Sequence, residues 1–264
     1  MRPPRFIRQA AQAFRPIEGK QTRRELARTY RLPDGFKRIY QYHIRKTAGT
    51  SIAQGFLGAE GGNGEGLYDE FYRTPRGKVG WEIVDGRVFV FHNKRLIEGG
   101  DYYYGQSHLP AHELRLPPDT FTLTCLRDPS KRIISHYRML VHFRKHKLRP
   151  DVMPVEGKWL GDSFGDFLQR IPKDHFFNQL YTFSKDCNIE EAFEKIIRLD
   201  HILTTEKFES RLDGLGRRLN LNLGIYHAKS HYDDVSIDAK DLRHLREMLD
   251  AEYRLIERVK DHIE

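Results

Sequence analysis

Two stretches of this chain hold residue types suited to binding phosphate: His43 to Ser51, HIRKTAGTS, and Phe121 to Leu140, FTLTCLRDPSKRIISHYRML. In the first, Lys46 supplies a mobile positive charge, and Gly49 lets the backbone approach a ligand closely. Alternation of Tyr40, Tyr42 and Ile44 predicts a strand before the loop, and Ile52 and Phe56 predict a helix behind it. Such a strand-to-helix turn gathers free N–H groups at the positive end of the helix dipole, where an anion is stabilised. In the second stretch, Phe121, Leu123 and Cys125 predict a buried strand that Arg127-Asp128-Pro129 ends. Pro129 then opens a helix with Ile133, Tyr137 and Leu140 on one face and with Arg132 and Ser135 as neighbours three apart. The alternative at each place is an ordinary turn: a helix capped by Thr50 or Ser51, and an Arg-Asp pair at a strand end.

The nucleoside-triphosphate loop G-x-x-x-x-G-K-[ST] does not fit, because here the lysine comes before the glycine. A lysine at the loop's entry, followed by small and hydroxyl residues, resembles the 5′-phosphosulfate loop of sulfotransferases that use PAPS, 3′-phosphoadenosine 5′-phosphosulfate. The downstream stretch resembles the family's 3′-phosphate strand and helix. The resemblance implies that Arg45, Lys46, Thr47, Ala48, Gly49, Thr50 and Ser51 hold the 5′ side, that Arg127 and Ser135 grip the 3′-phosphate, and that no metal takes part. Leu203 to Phe208, then His227-Ala228-Lys229-Ser230 ahead of a terminal helix, is similar in layout to the carbohydrate group that includes the heparan 2-O- and 6-O-enzymes. By that likeness Lys229 and Ser230 close over the nucleotide. The resemblance spans roughly residues 37 to 263, with only the first two motifs specific. Arg45 stands where the family often has proline, and Ala48 where it has a second small residue.

Transfer to a hydroxyl needs a base, and histidine suits the role because its pKa lies near working pH. His108 is the expected base, at the end of the run Tyr102 to Pro110 between the two phosphate motifs; a structural histidine at a strand end is the alternative. Related glycan enzymes place a Gly-x-His or Gly-His element there, whereas Gln106 and Ser107 separate Gly105 from His108 here. His92, His112 and Glu113 are the substitutes. The resemblance to the carbohydrate group implies that the acceptor is a hydroxyl of a carbohydrate or glycoconjugate. Two other functions stay open: a P-loop kinase or related NTPase, with Asp128 as magnesium ligand, and a non-catalytic polyanion binder.

The elements that must position these residues predict an α/β fold, a P-loop-like parallel sheet flanked by helices, in one domain over residues 37–264. Residues 1–36 read as a basic arm. Residues 1–31 hold nine Arg or Lys against two Glu, so nearly all of the net charge of +8 is N-terminal, and no nucleic-acid partner is expected. Arg2 to Phe14 suggests a basic amphipathic helix that touches a subunit or an anionic membrane surface. Two cysteines are too few for a disulfide framework, and no membrane span or leader appears, so a bacterial cytoplasmic form, or one trimmed of a Golgi anchor, is expected.

Further along, glycines between Gly55 and Gly66 predict a flexible connection, and Asp85-Gly86 predicts a hairpin turn. Trp159, in a loop rich in turn formers, reads as a core anchor or a sugar-stacking face. Asn178-Gln179 stands where glycan sulfotransferases have a similar Asn-Gln, a resemblance that implies a substrate contact, and 237–263 reads as one long helix. His142 and His146, like His227 and His231, stand four apart, a spacing that can chelate zinc. Neither pair carries the glutamate of H-E-x-x-H, and Arg144 and Lys145 make the first pair's surroundings cationic, so no metal is assigned.

Overall fold

A computed structural model of the chain describes residues 19–227, 232–233 and 235–264. Its centre is a six-stranded sheet of β1 (Arg38–Tyr42), β2 (Trp81–Val84), β3 (Arg87–Phe91), β4 (Tyr104–Ser107), β5 (Thr120–Leu126) and β6 (His201–Thr204). The spatial order is β2-β3-β4-β1-β5-β6, and every pairing is parallel except the β2–β3 hairpin. Asp85 and Gly86 form the hairpin turn with φ of 48° and 72°, the left-handed pair that a two-residue turn of this twist requires. Parallel strands are covered on both faces, so β1 and β5 read as nearly continuous buried runs. Helices flank the sheet, giving the single α/β domain expected.

The hydrophobic interior has two adjoining parts. One surrounds the sheet; the other gathers Ile133, Tyr137, Trp159, Phe167 and Leu245 around the helix Pro129–His146. The expected single terminal helix is two, Ala239–Met248 and Asp250–Ile263, hinged at Leu249. The break lets Leu245 and Leu249 pack in the second part while Leu255, Ile256 and Val259 pack in the first. Trp159 is a core anchor that packs its ring against His175.

The glycine-rich connection is not a loose loop. After Gly58 the chain makes one short turn and enters the helix Gly64–Phe71, capped by Asn63. A Cβ on Gly58 or Gly64 would collide with Tyr226 or with the backbone of Gln54, so these glycines permit close packing. Residues 19–27 are helical, and the described part of the supposed arm packs on the domain. Arg23 lies over Trp81 at 4.5 Å, Tyr30 accepts a hydrogen bond from the Val88 N–H at 2.9 Å, and Tyr30 and Leu32 are buried. The predicted helix Arg2 to Phe14 lies outside the described residues. No helix among the described residues is long and apolar enough to cross a membrane.

Candidate functional site

Adjacent parallel strands end on the same edge of the sheet, so the loops that leave them converge. Register sets the neighbours: Tyr42 of β1 lies level with Ser107 of β4 and Thr124 of β5, and Phe91 of β3 lies level with Gln106. One step past those positions stand His43, His108 and His92. Beyond β1 comes the Lys46 loop, and beyond β5 comes Arg127. These groups line a cleft of about 2020 Å3.

The loop is shaped as an anion cradle. Lys46 and Ala48 both take left-handed backbone, with φ of 66° and 63°, and Ala48 is the N-cap of the helix Gly49–Leu57. The N-cap position thus belongs to Ala48, which has no side chain with which to cap, and not to Thr50 or Ser51. The N–H groups of Ala48, Gly49 and Thr50 make no hydrogen bond within the described residues. Three donors at a helix start are thus free for an acceptor in the cleft. Gly49 is required because a Cβ there would overlap the His43 ring. The structure corrects the part assigned to Thr47: its hydroxyl donates back to the Ile44 carbonyl at 2.9 Å and its side chain is buried, so only its backbone can face a ligand.

Lys46 and Arg127 meet. Arg127 donates from Nη1 to the Lys46 carbonyl at 2.9 Å, and the Lys46 ammonium donates to the Tyr232 hydroxyl at 2.9 Å. Burial, reinforced by the charges of Arg127 and Arg45, lowers the Lys46 pKa to about 8. Arg45 is anchored rather than free, pairing with Glu156 at 2.7 Å. Glu156 also accepts from Nε2 of buried His136 at 2.9 Å. Burial pushes the Glu156 carboxyl up, but the His136 bond and the Arg45 charge outweigh it and hold the group below its usual range. His136 itself is lowered to about 4 by burial and so bonds as a neutral ring.

Asn178 and Gln179 hold the loops after β1 and β5 in place. Asn178 Oδ1 accepts from the Arg45 N–H at 3.1 Å, and Gln179 exchanges two bonds with the Arg127 backbone at 2.9 and 3.0 Å. Gln179 is fully buried, and its own N–H donates to Glu252 at 2.8 Å. The expected substrate contact is therefore corrected for Gln179, since no ligand can reach it. Glu252 in turn neutralises Arg132 at 3.5 Å, with both side chains wholly buried. Arg132 thus packs inward while Ser135 lines the cleft.

His108 sits deep in the cleft. Its Nδ1 lies 2.6 Å from the His43 carbonyl, an acceptor only, so Nδ1 carries the proton and Nε2 keeps a lone pair. Its ring is open to the cleft, yet the walls desolvate it, and with His43, Arg45 and His92 beside it the pKa falls well below 6.5. The three rings cluster, His108 lying 4.4 Å from His43 and 5.0 Å from His92. Burial also lowers His43 to about 3 and His92 to about 4. The substitute His112 packs instead against Tyr181, at 5.2 Å.

Arg45, Lys46, Ala48, Gly49, Thr50, Ser51, His108, Arg127 and Ser135 therefore converge on the cleft; Lys229 and Ser230 lie outside the described residues. Sequence reasoning passed over Glu156, His136, Tyr232 and Glu252. A glutamate among hydrophobic and turn residues carries no signal of the distant arginine it meets. No protein-family model matches the chain, and no curated protein matches it in sequence.

Proposed function

We propose that the protein is a PAPS-dependent sulfotransferase acting on a hydroxyl of a carbohydrate-type acceptor. The observation that carries this reading is the Arg127–Lys46 bond, which joins the candidate 3′- and 5′-phosphate sites at one strand edge. The uncapped helix start fits a 5′-phosphate, and Arg127 and Ser135, which both line the cleft, fit a second phosphate. PAPS, when bound, supplies a sulfuryl group activated by its attachment to the 5′-phosphate. The free N–H groups of Ala48 to Thr50 bind and orient that phosphate. Lys46 offsets the negative charge left on it as the leaving group. His108 accepts the acceptor's hydroxyl proton at Nε2, the ring nitrogen left bare by the Nδ1 bond to His43. Tyr68 and Tyr72 wall another part of the cleft and offer aromatic faces of the kind sugar rings stack on.

A kinase-like or NTPase reading needs a free carboxylate beside Lys46 for magnesium. Asp128, its candidate, accepts instead from the Lys131 N–H at 2.8 Å as a helix cap, and from the Tyr253 hydroxyl. Titration with PAP, the desulfated product, separates these readings. The sulfotransferase reading expects tight PAP binding that Arg127→Ala removes, with weak ATP binding. Absence of PAP binding in the folded protein overturns it. A screen of hydroxylated acceptors with labelled PAPS then identifies the acceptor class.

A further inference from the structure

We propose that His142, His146 and Asp233 form a binding site for a divalent transition metal, best suited to zinc, on the rim of the cleft. His142 and His146 stand one turn apart on the helix Pro129–His146 with ring centroids at 4.4 Å. The tertiary fold adds what their spacing lacked, a carboxylate from a distant segment. Asp233 Oδ2 lies 3.6 Å from His142 Nδ1 and 3.2 Å from His146 Nε2, and the candidate ligand atoms all lie within 4.8 Å of one another.

The two separations from Asp233, 3.6 and 3.2 Å, match a metal's requirements. Zinc bonds to imidazole nitrogen and carboxylate oxygen at about 2.0–2.2 Å, so neighbouring ligand atoms on a tetrahedron stand about 3.4 Å apart. A second observation supports a missing partner: His142 Nδ1 is shielded from solvent and makes no hydrogen bond among the described residues, the Asp233 oxygen being too far to accept one. Two imidazoles and one carboxylate favour zinc and its first-row neighbours over magnesium or calcium, and a three-ligand set leaves a fourth position for water. Lys145 is the competitor, with its ammonium 3.2 Å from the same Asp233 oxygen. Metal binding exchanges that ammonium for a divalent ion.

The site bears on the cleft through one neighbour. Tyr232, beside Asp233 in sequence, has its ring 5.6 Å from His142 and 4.5 Å from the Lys46 ammonium. An ion there ties Asp233 to the helix and so holds Tyr232 over Lys46.

The test is a competition titration of the full chain with zinc against a chromogenic chelator. One equivalent is expected to bind, His146→Ala and Asp233→Asn are each expected to weaken it at least ~10-fold, the effect size typical of disturbing a metal's ligand environment, and Lys145→Gln is expected to tighten it. X-ray absorption should report only nitrogen and oxygen ligands, and magnesium should not compete. The double variant His142→Ala/His146→Ala, checked for native circular dichroism, supplies the decisive comparison. Zinc bound equally well by it and by the parent overturns the site, as does absence of stoichiometric zinc binding in the parent. None of these readouts depends on sulfotransferase activity.

Discussion

The guanidinium of Arg127 donates to the backbone carbonyl of Lys46 at 2.9 Å, so the residue after β5 fixes the conformation of the loop after β1. One arginine thereby braces the Lys46 loop, and under the proposed function it is also an electrostatic ligand for phosphate. Arg127→Ala should abolish measurable PAP binding in calorimetry. Arg127→Lys, which keeps charge but cannot present the same planar fork, should recover only part of it.

His108 should govern turnover but not cofactor affinity. His108→Ala is expected to lower kcat by ~100-fold to 10,000-fold, the range of a positioned base, while PAP affinity stays near its starting value. Single-turnover kinetics beside calorimetry checks this. Turnover unchanged in that variant would move the base to another group.

The pH profile of kcat/KM should be a broad plateau with unequal limbs. As the proposed base His108 must be neutral, and its lowered pKa carries the acid limb well below pH 6.5. In its proposed role Lys46 must be charged, so activity should decline as pH rises through about 8. In Lys46→Arg the alkaline limb should disappear from the accessible range, because arginine keeps its charge.

Acid should destabilise the fold through buried neutral histidines. His43 and His136 resist protonation in the folded chain down to about 3 and about 4, whereas unfolded histidine takes a proton near 6.5. The unfolded state therefore binds more protons over that window. Stability should fall as pH drops from about 6.5 towards 4, by about 1.4 kcal/mol per pH unit for each histidine. Urea midpoints measured at several pH values test the slope, and His136→Phe should flatten it.

Glu252 should prove structural in its cost and functional in its consequence. Glu252→Ala leaves Arg132 buried without a carboxylate, which costs about 3–5 kcal/mol, and it removes the acceptor that orients Gln179. Gln179→Leu leaves the Arg127 N–H and carbonyl unpaired, at about 1–3 kcal/mol for each. Denaturant unfolding should show both losses. In Gln179→Leu, PAP affinity should drop although no side chain that faces the cleft has changed.

Local chemistry made much of this legible. The β1 loop and its helix, the β5 strand ending at Arg127, and the Asp85-Gly86 hairpin each arise from period, turn residues and proline placement within about ten positions. Local patterns misled elsewhere. The glycines from Gly58 to Gly64 looked flexible because composition cannot reveal that Tyr226 and Gln54 pack against them. The terminal helix looked continuous because its apolar period does not reveal that the interior it covers has two parts.

The sequence by itself determined the residue types: a lysine and glycine loop, an arginine at a strand end, and a histidine between them. It also determined the alternation of strands and helices, because backbone preference and amphipathic period act over a few residues. Only the tertiary structure decided which groups meet. Parallel register places His43, His92 and His108 side by side, Gln179 bridges to Arg127 across fifty-two positions, and Asp233 reaches His146 across eighty-seven. Such contacts are set by how strands pair and helices dock. No local pattern records a partner that far along the chain.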